Sequence, residues 1–326
     1  MSDPDIPARP DAMSRFRRWA AIAAAVAAVG WVGYALVRGF SDTGRELADF
    51  PWWLTVPVLA LTLVNYGLRY LKWHYLLGIL GVEIPHKHDA PIFMAGLAMV
   101  ISPAKAGEVV KPYLVRTITG VPMARTVPAL IAERGTDGIA VVALAAVGVS
   151  TYAAQASHII SITIFVIALG LAAITIEPVA RGALTLLKML PLLNRVGDRL
   201  EEAYEATRTV LAPTPLLVTV ALSMVAWFAE CVGAWIIFMG LDTTATLDQA
   251  TFLYAFSTVF GAPSPGGLGM ADVALAEGAI QIVAEISEGQ ALAAALLVRL
   301  ATLWFGVLLG ALALLRMEHV IKDATR

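Results

Sequence analysis

The chain has 326 residues, of which 59% are hydrophobic and only 15% charged, with a formal net charge of −2. A soluble domain carries about a quarter charged residues, so the composition excludes an ordinary water-soluble protein. The charge balance provides no basic surface for nucleic acid. The single cysteine, Cys231, excludes a disulfide framework and a cysteine metal cluster.

The N-terminal part is predicted to contain a tail and one membrane helix. Residues 1–14 are polar and contain prolines, which indicates a disordered cytoplasmic tail. Arg15, Arg17 and Arg18 precede residues 19–37, which contain no Asp, Glu, Lys or Arg. This stretch is long for a signal peptide and has no convincing cleavage site after it. We interpret it as a retained first helix that begins a single membrane domain, residues 15–326.

The next segment predicts two full helices around a broken one. Residues 52–80 are long enough to cross the bilayer, whereas the uncharged run 91–104 is too short at about 1.5 Å per residue. We therefore predict a re-entrant half-helix there, followed by a polar helix over 107–119. A third crossing over 126–150 completes a first repeat, residues 52–150. A fourth crossing follows over 158–176.

The second half repeats this order after a charged linker. In residues 177–212, leucines are interleaved with charged residues, which indicates an amphipathic segment at the membrane interface. Crossing five is predicted over 215–241, a second re-entrant segment over 247–263, a helix over 270–286 and crossing six over 289–315. Residues 215–315 form the second repeat.

Charge asymmetry predicts the orientation of these elements. Lys and Arg concentrate in the segments that lie inside if the Arg-rich N-terminus is cytoplasmic. Six crossings then place both termini in the cytoplasm, and the two repeats run in opposite directions. We predict an all-α polytopic protein of the bacterial cytoplasmic (inner) membrane, with about six transmembrane helices and two re-entrant hairpins in an inverted repeat. Tryptophans near span ends are predicted to form an interfacial belt: Trp19, Trp52, Trp53 and Trp73.

A Ser-Pro-x-x-x-Gly pattern occurs in both halves, at residues 102 and 264, 162 positions apart. Paired helix breaks in the two halves of a transporter indicate the substrate site. We predict that these segments are gating loops. Their residues are Ser102, Pro103 and Gly107 in the first loop, and Ser264, Pro265, Gly266, Gly267 and Gly269 in the second.

Many ionisable residues lie near these two loops, and they include Glu230 and Glu277. Each charge at mid-bilayer costs about 2.5–3.5 kcal/mol on insertion scales, so the group indicates function, although salt bridges that lock helices together would explain any single member. Helix N-termini beside Lys and Arg suit a phosphate or other anion. The predicted substrate-binding residues are Arg69, Lys72, Lys105, Glu108, Lys111, Glu133, Arg134, Asp137, Asp272 and Arg299. No catalytic residue, metal site or cofactor is predicted.

Four of these segments resemble, in order, the lysylphosphatidylglycerol synthase transmembrane-region family of flippase-like proteins. They are LRYLKWHYLL at 68–77, SPAKAGEVVKPYLV at 102–115, AERGTD at 132–137 and SPGGLGMAD at 264–272. Lys stands where the family more often has Arg at Lys72, Lys105 and Lys111, and Asp272 stands where Glu is usual. The resemblance implies lipid translocation, without the soluble aminoacyl-transferase domain that fused members carry.

The combined expectation is a flippase or scramblase that moves an anionic or amphipathic lipid across the cytoplasmic membrane. The lipid class could be a phospholipid, an aminoacyl-phospholipid or a polyprenyl-phosphate-linked lipid. Two alternatives remain open: an integral-membrane enzyme using Glu133 and Asp137 as acid and base, and a non-transporting assembly or regulatory subunit. Membrane lipid is the expected partner, with a second copy or a lipid-synthesis enzyme also possible.

Overall fold

The computed structural model describes residues 40–102, 107–152 and 197–324. Within these ranges every regular element is helical, which confirms the predicted all-α class. Several predictions lie outside the described residues: the N-terminal tail, crossings one and four, most of the interfacial linker, Pro103 and Lys105.

The described part of the first half contains five α-helices. A short helix, α1, spans Phe40–Asp49 and was not predicted. It is followed by α2 (Thr55–Ile79), α3 (His86–Ala98), α4 (Val110–Thr119) and α5 (Met123–Tyr152). One 3-10 turn, Trp52–Leu54, leads into α2, and another, Met99–Ile101, follows α3.

The second half, as far as it is described, contains six α-helices. They are α6 (Gly197–Val210), α7 (Pro213–Gly240), α8 (Leu247–Phe260), α9 (Met270–Ile282), α10 (Glu288–Arg299) and α11 (Phe305–Ala324). A 3-10 turn at Pro265–Gly267 separates α8 from α9. A π-helical segment, Leu300–Trp304, joins α10 to α11 without a break.

Three described helices are long and apolar enough to cross a membrane. They are Trp52–Ile79, Pro213–Gly240 and Glu288–Arg316, which match the predicted crossings two, five and six. The predicted crossing three forms the 30-residue helix α5, which carries the charges Glu133, Arg134 and Asp137. The described residues therefore support a multi-helix membrane protein, with three spans identified by length and composition.

The predicted breaks after α3 and α8 are present. These helices have 13 and 14 residues, about 20 Å each, which is shorter than the roughly 30 Å hydrocarbon core. Each one ends four residues before the serine of a Ser-Pro motif. The 3-10 turns at Met99–Ile101 and Pro265–Gly267 contact each other, so the two motifs meet although they are far apart in sequence.

The helices pack in a corresponding order in the two halves. Helix α2 packs along α7, while α3 packs on α11 and α8 packs on α5. One apolar core lies mainly among α7, α8, α9 and α10, around Phe238 and Phe252. The other lies mainly among α2, α3 and α4, around Leu76 and Ile92. The polar face of α2 lies between these cores and against α5 and α7.

The interfacial belt prediction is wrong for Trp73. Trp52 and Trp53 are exposed at the start of α2, whereas Trp73 has no exposed surface. Its indole Nε1 donates to Asp89 Oδ1 at 2.9 Å. The ammonium of Lys111 lies over its ring, 4.4 Å from the centroid. Trp73 is buried because α3 and α4 cover this face of α2, a contact that its position near a span end does not reveal.

Candidate functional site

Seven of the ten predicted substrate-binding residues form one buried charge cluster. Helical spacing explains why they share faces: residues three or four apart project from the same side of a helix. Arg69 and Lys72 lie on α2, Glu108 and Lys111 at the start of α4, and Glu133, Arg134 and Asp137 on α5. Four cations and three carboxylates leave the cluster with one excess positive charge.

Glu133 is at the back of the cluster and is fully buried. Its carboxylate pairs with Lys111, and Oε1 accepts from Arg134 Nη2 at 2.5 Å. Arg69 Nη2 lies 3.6 Å from the same oxygen. Three cations from three helices therefore neutralise one buried carboxylate.

Asp137, one turn along α5, is paired in the same way. Lys72 Nζ donates to Oδ1 at 2.5 Å, and Ser223 on α7 donates to this oxygen at 3.1 Å. Lys72 also donates to Ser223 Oγ at 2.7 Å and to the Glu133 carbonyl at 3.1 Å. Its ammonium has protein partners for all three protons, which indicates that Lys72 joins helices rather than contacting a ligand.

The side of the cluster formed by Arg134 and Glu108, here called its front, has polar atoms without hydrogen-bond partners. The side chain of Arg134 is 25% exposed, the most of the seven, and its Nε lies 3.2 Å from Glu108 Oε2. Among the described residues, Arg69 Nε, Arg134 Nε, Asp137 Oδ2 and both Glu108 carboxylate oxygens are buried without a hydrogen-bond partner. Each such atom costs about 1–3 kcal/mol. A concentration of them in one place indicates a site for water, an ion or a ligand.

A second cluster joins Asp272 and Arg299 at the glycine-rich loop. Arg299 Nε donates to Asp272 Oδ1 at 2.5 Å, and its Nη2 donates to the Gly267 carbonyl at 2.9 Å. The other carboxylate oxygen, Oδ2, accepts from the Gly269 N–H at 2.8 Å, which caps α9. Gly267 has a φ of 76°, a backbone conformation that glycine adopts at little cost.

The two Ser-Pro loops resemble each other in part. Ser102 Oγ donates to the Met99 carbonyl at 2.7 Å, and Ser264 Oγ donates to the Gly261 carbonyl at 3.0 Å. In the first loop Ser102 Oγ also accepts from the Gly107 N–H at 2.7 Å. In the second loop Asp272 takes that capping role. The described glycines and serines of both motifs therefore shape the loops.

Both clusters face a central cavity of about 90 Å³. Arg69 and Arg134 reach it from the first cluster, and Arg299 reaches it from the second. The cavity is also lined by the carboxylate residue Glu230 and by aromatic side chains from α2, α7 and α8, namely Tyr66, Trp227 and Tyr254. Lys72, Lys111 and Glu133 do not line it. The structure thus brings three of the predicted arginines together and places these other charges behind them.

A lateral groove of about 650 Å³ opens beside this cavity, between α5 and α8. Its walls are mostly apolar and include Leu130, Val141 and Val259. The charged residues that line it are Glu108, Arg134 and Asp137. Arg134, Trp227, Thr258 and Ala262 line both the groove and the central cavity. A mostly apolar groove therefore adjoins the incompletely bonded front of the charge cluster.

Sequence reasoning missed Ser223 and Trp227 on α7, and it named Glu230 as an intramembrane charge without assigning it to the substrate site. Ser223, Trp227 and Glu230 recur at intervals of four and three residues, so they share one face of that helix. This face packs against α2 and places the three side chains at the cluster and the cavity. The spacing of two polar residues and a tryptophan in an apolar helix is the signal that could have identified them. No group of three metal-ligating side chains is found in the part of the chain that the structure describes.

The comparison with known families agrees with these motifs. The family model described as "Lysylphosphatidylglycerol synthase TM region" matches residues 18–310. The chain belongs to this family. A relative from Methanothermobacter thermautotrophicus, described as a UPF0104 membrane protein, is 24% identical over 286 residues, covering 78% of this chain and 83% of its own. Membership indicates a membrane protein with a lipid-related role, which agrees with the apolar helices.

Proposed function

We propose that this protein moves an anionic lipid across the cytoplasmic membrane. The observation that carries the proposal is the lateral groove, in which apolar walls lead to Arg134 and to buried polar atoms that lack partners. This arrangement suits an amphipathic molecule. The acyl chains would lie along α5 and α8, and the charged headgroup would replace the missing hydrogen bonds at the front of the cluster.

The unused arginine donors at the front of the cluster suit an anionic headgroup. Arg134 and Arg69 have unused Nε–H donors at the groove and the cavity, and a guanidinium binds phosphate with a planar set of donors. The Trp227 Nε1–H is also buried without a hydrogen-bond partner among the described residues, and it lies between groove and cavity. Glu108 would release Arg134 when the headgroup binds.

An inverted repeat would explain how the site is reached from both sides. The corresponding contacts, α3 with α11 and α8 with α5, support two structurally related halves. Their opposite insertion follows from the charge asymmetry of the sequence, with both termini in the cytoplasm. A central cavity of about 90 Å³ has room for only a few water molecules, so we expect the halves to move before a headgroup crosses.

The direct test is lipid movement in liposomes that contain the purified protein and phosphatidylglycerol labelled in one leaflet. Arg134→Gln is expected to slow movement roughly 10- to 100-fold, because a hydrogen bond to a charged group contributes about 1.5–3 kcal/mol. Arg134→Lys should retain part of the rate, since it keeps the charge but loses the planar donors.

The matched control is Arg116→Gln, which removes an exposed arginine from the last turn of α4. It should leave the rate unchanged. The proposal fails if the wild-type protein moves no lipid. The site assignment fails if Arg134→Gln has both the wild-type rate and the wild-type thermal stability.

A further inference from the structure

Glu230 is a buried carboxylate on α7 that belongs to neither charge cluster. It is 4% exposed and lines the central cavity. Among the described residues no cationic nitrogen lies within the 4.0 Å ion-pair distance of it. The three cavity arginines are already paired: Arg69 and Arg134 with carboxylates of the buried charge cluster, and Arg299 with Asp272.

The groups around Glu230 leave its charge incompletely balanced. Thr62 on α2 lies beside it, but its hydroxyl donates to the Val58 carbonyl at 3.2 Å. Arg69 is the cation whose field reaches Glu230. The Tyr66 hydroxyl is already used, because it donates to the Thr302 carbonyl at 2.5 Å. The titratable and charged groups that face Glu230 or its cavity are Tyr66 and Arg69 on α2, Arg134 on α5, Cys231 on α7, Tyr254 on α8 and Arg299 on α10.

A carboxylate in this position has a physical reason to bind a proton. Keeping an unpaired charge inside a membrane protein costs free energy, and proton binding removes that charge. The neutral acid would also stop competing with an anion for the field of the cavity arginines. Proton binding and headgroup binding would therefore favour each other, a positive coupling between two neighbouring sites.

We infer that Glu230 is a proton-binding site that couples lipid movement to the transmembrane proton gradient. The inference rests on the proposed function. The carboxylate takes up one proton from the side of the membrane where the lipid starts, and the anionic headgroup then binds the cavity arginines. The same proton is released to the opposite side after the headgroup dissociates there. Lipid and proton thus move in the same direction.

Two measurements test this inference. The first is infrared spectroscopy of the purified protein, without added lipid, during a pH titration. The C=O stretching band of a protonated carboxylic acid should be present in the wild type, missing in Glu230→Gln, and shifted but present in Glu230→Asp. Glu205→Gln, which changes an exposed glutamate on α6, is the matched control and should leave the band unchanged.

The second measurement is the movement of labelled phosphatidylglycerol in proteoliposomes with an imposed pH gradient. Acid on the labelled side should accelerate movement by the wild type and by Glu205→Gln. For Glu230→Gln the rates with and without the gradient should become equal.

The outcomes separate this inference from the proposed function. An unchanged band in Glu230→Gln, or a wild-type response of that variant to the gradient, overturns the proton site. If the band is lost in Glu230→Gln but even the wild type moves no lipid, the proton site stands and the transport proposal fails.

Discussion

At the scale of single residues, the buried charge cluster has two parts: residues that hold helices together, and a front that can bind a ligand. Lys72 and Lys111 are both buried, and each donates to a carboxylate of α5. Arg134 and Glu108 instead face the lateral groove with unused donors and acceptors. The ammonium of Lys72 has no proton left to donate, whereas the front offers a ligand donors and acceptors that have no partner.

The scaffold role of Lys72 leads to a stability prediction. Lys72→Met should destabilise the protein by about 3–5 kcal/mol, the usual cost of breaking a buried ion pair by removing one partner. The double variant with Asp137→Asn should recover part of this loss, because it removes the carboxylate that Lys72 neutralised. Unfolding of the detergent-purified protein, followed by circular dichroism, measures the difference.

The control for this prediction is Arg45→Gln on α1. Arg45 pairs with Asp42 at 3.6 Å with both side chains exposed, and such a pair contributes little. Equal stability of Lys72→Met and the wild type would show that Lys72 does not hold the helices together.

Some of this cluster is predictable from residue spacing alone. Glu133 and Asp137 are four residues apart, so their common face on α5 follows from the helical period. Their partners do not follow, because Lys72, Lys111 and Ser223 come from three other helices. The exposed front could not be predicted either, since it depends on how α8 leaves one side of α5 open.

At the scale of helices, close approach between α3 and α11 depends on a glycine. A Cβ atom on Gly310 would overlap the backbone of Ala98 and Met94 on α3. Small residues permit such approach in membrane proteins, where dispersion and hydrogen bonds rather than the hydrophobic effect hold helices together. This contact holds α3, and with it the first Ser-Pro loop, beside the long helix α11.

Gly310→Ala is therefore expected to destabilise the protein by about 1–3 kcal/mol, because the helices must separate to admit the methyl group. Gly67→Ala is the matched control on α2, where nothing lies within 4 Å of the added carbon. That substitution should be neutral or stabilising by up to about 1 kcal/mol, because alanine favours the helix. Thermal unfolding of both variants measures the contrast, and equal midpoints would contradict the close-approach argument.

The π-helical turn within the last long span is also visible only at this scale. The π-helical segment Leu300–Trp304 directly follows Arg299, and the Tyr66 hydroxyl binds the Thr302 carbonyl. π-helical turns are frequent at functional sites. Hydropathy predicted one continuous span here, because the side chains remain apolar throughout the change in backbone hydrogen bonding.

At the scale of the whole molecule, the two halves meet at their Ser-Pro loops. Gly266 lies against Ile101, with 3.3 Å between the Ile101 Cα and the position that a Cβ on Gly266 would occupy. Movement of one half against the other must change this contact if the central site opens alternately to the two sides.

A reversible crosslink tests this motion. The double variant Ile101→Cys and Gly266→Cys places two thiols beside each other, and the native Cys231 is buried. Because Gly266 has a φ of 60°, which strains a cysteine, the double variant must first move lipid in its reduced form. Oxidation is expected to stop movement of labelled phosphatidylglycerol in liposomes, and reduction should restore it. The single variant Ile101→Cys should be insensitive to oxidation. Continued movement in the oxidised double variant, with the crosslink confirmed by mass spectrometry, would exclude motion at this contact.

The sequence by itself determined the all-α membrane class, the three described spans and the positions of the two helix breaks. These depend on local properties: the length of apolar runs, the helical period, and proline and glycine at the breaks. Only the tertiary structure decided which charges pair, that Trp73 is buried, and that Arg69, Arg134 and Arg299 share a cavity. It also decided that Glu230 faces this cavity with no ion-pair partner in the part of the chain that the structure describes. Those facts depend on which helix faces meet. Helices remote in sequence supply the partners that lower the free-energy cost of a buried charge, and where no partner is supplied the charge can bind a proton or a ligand.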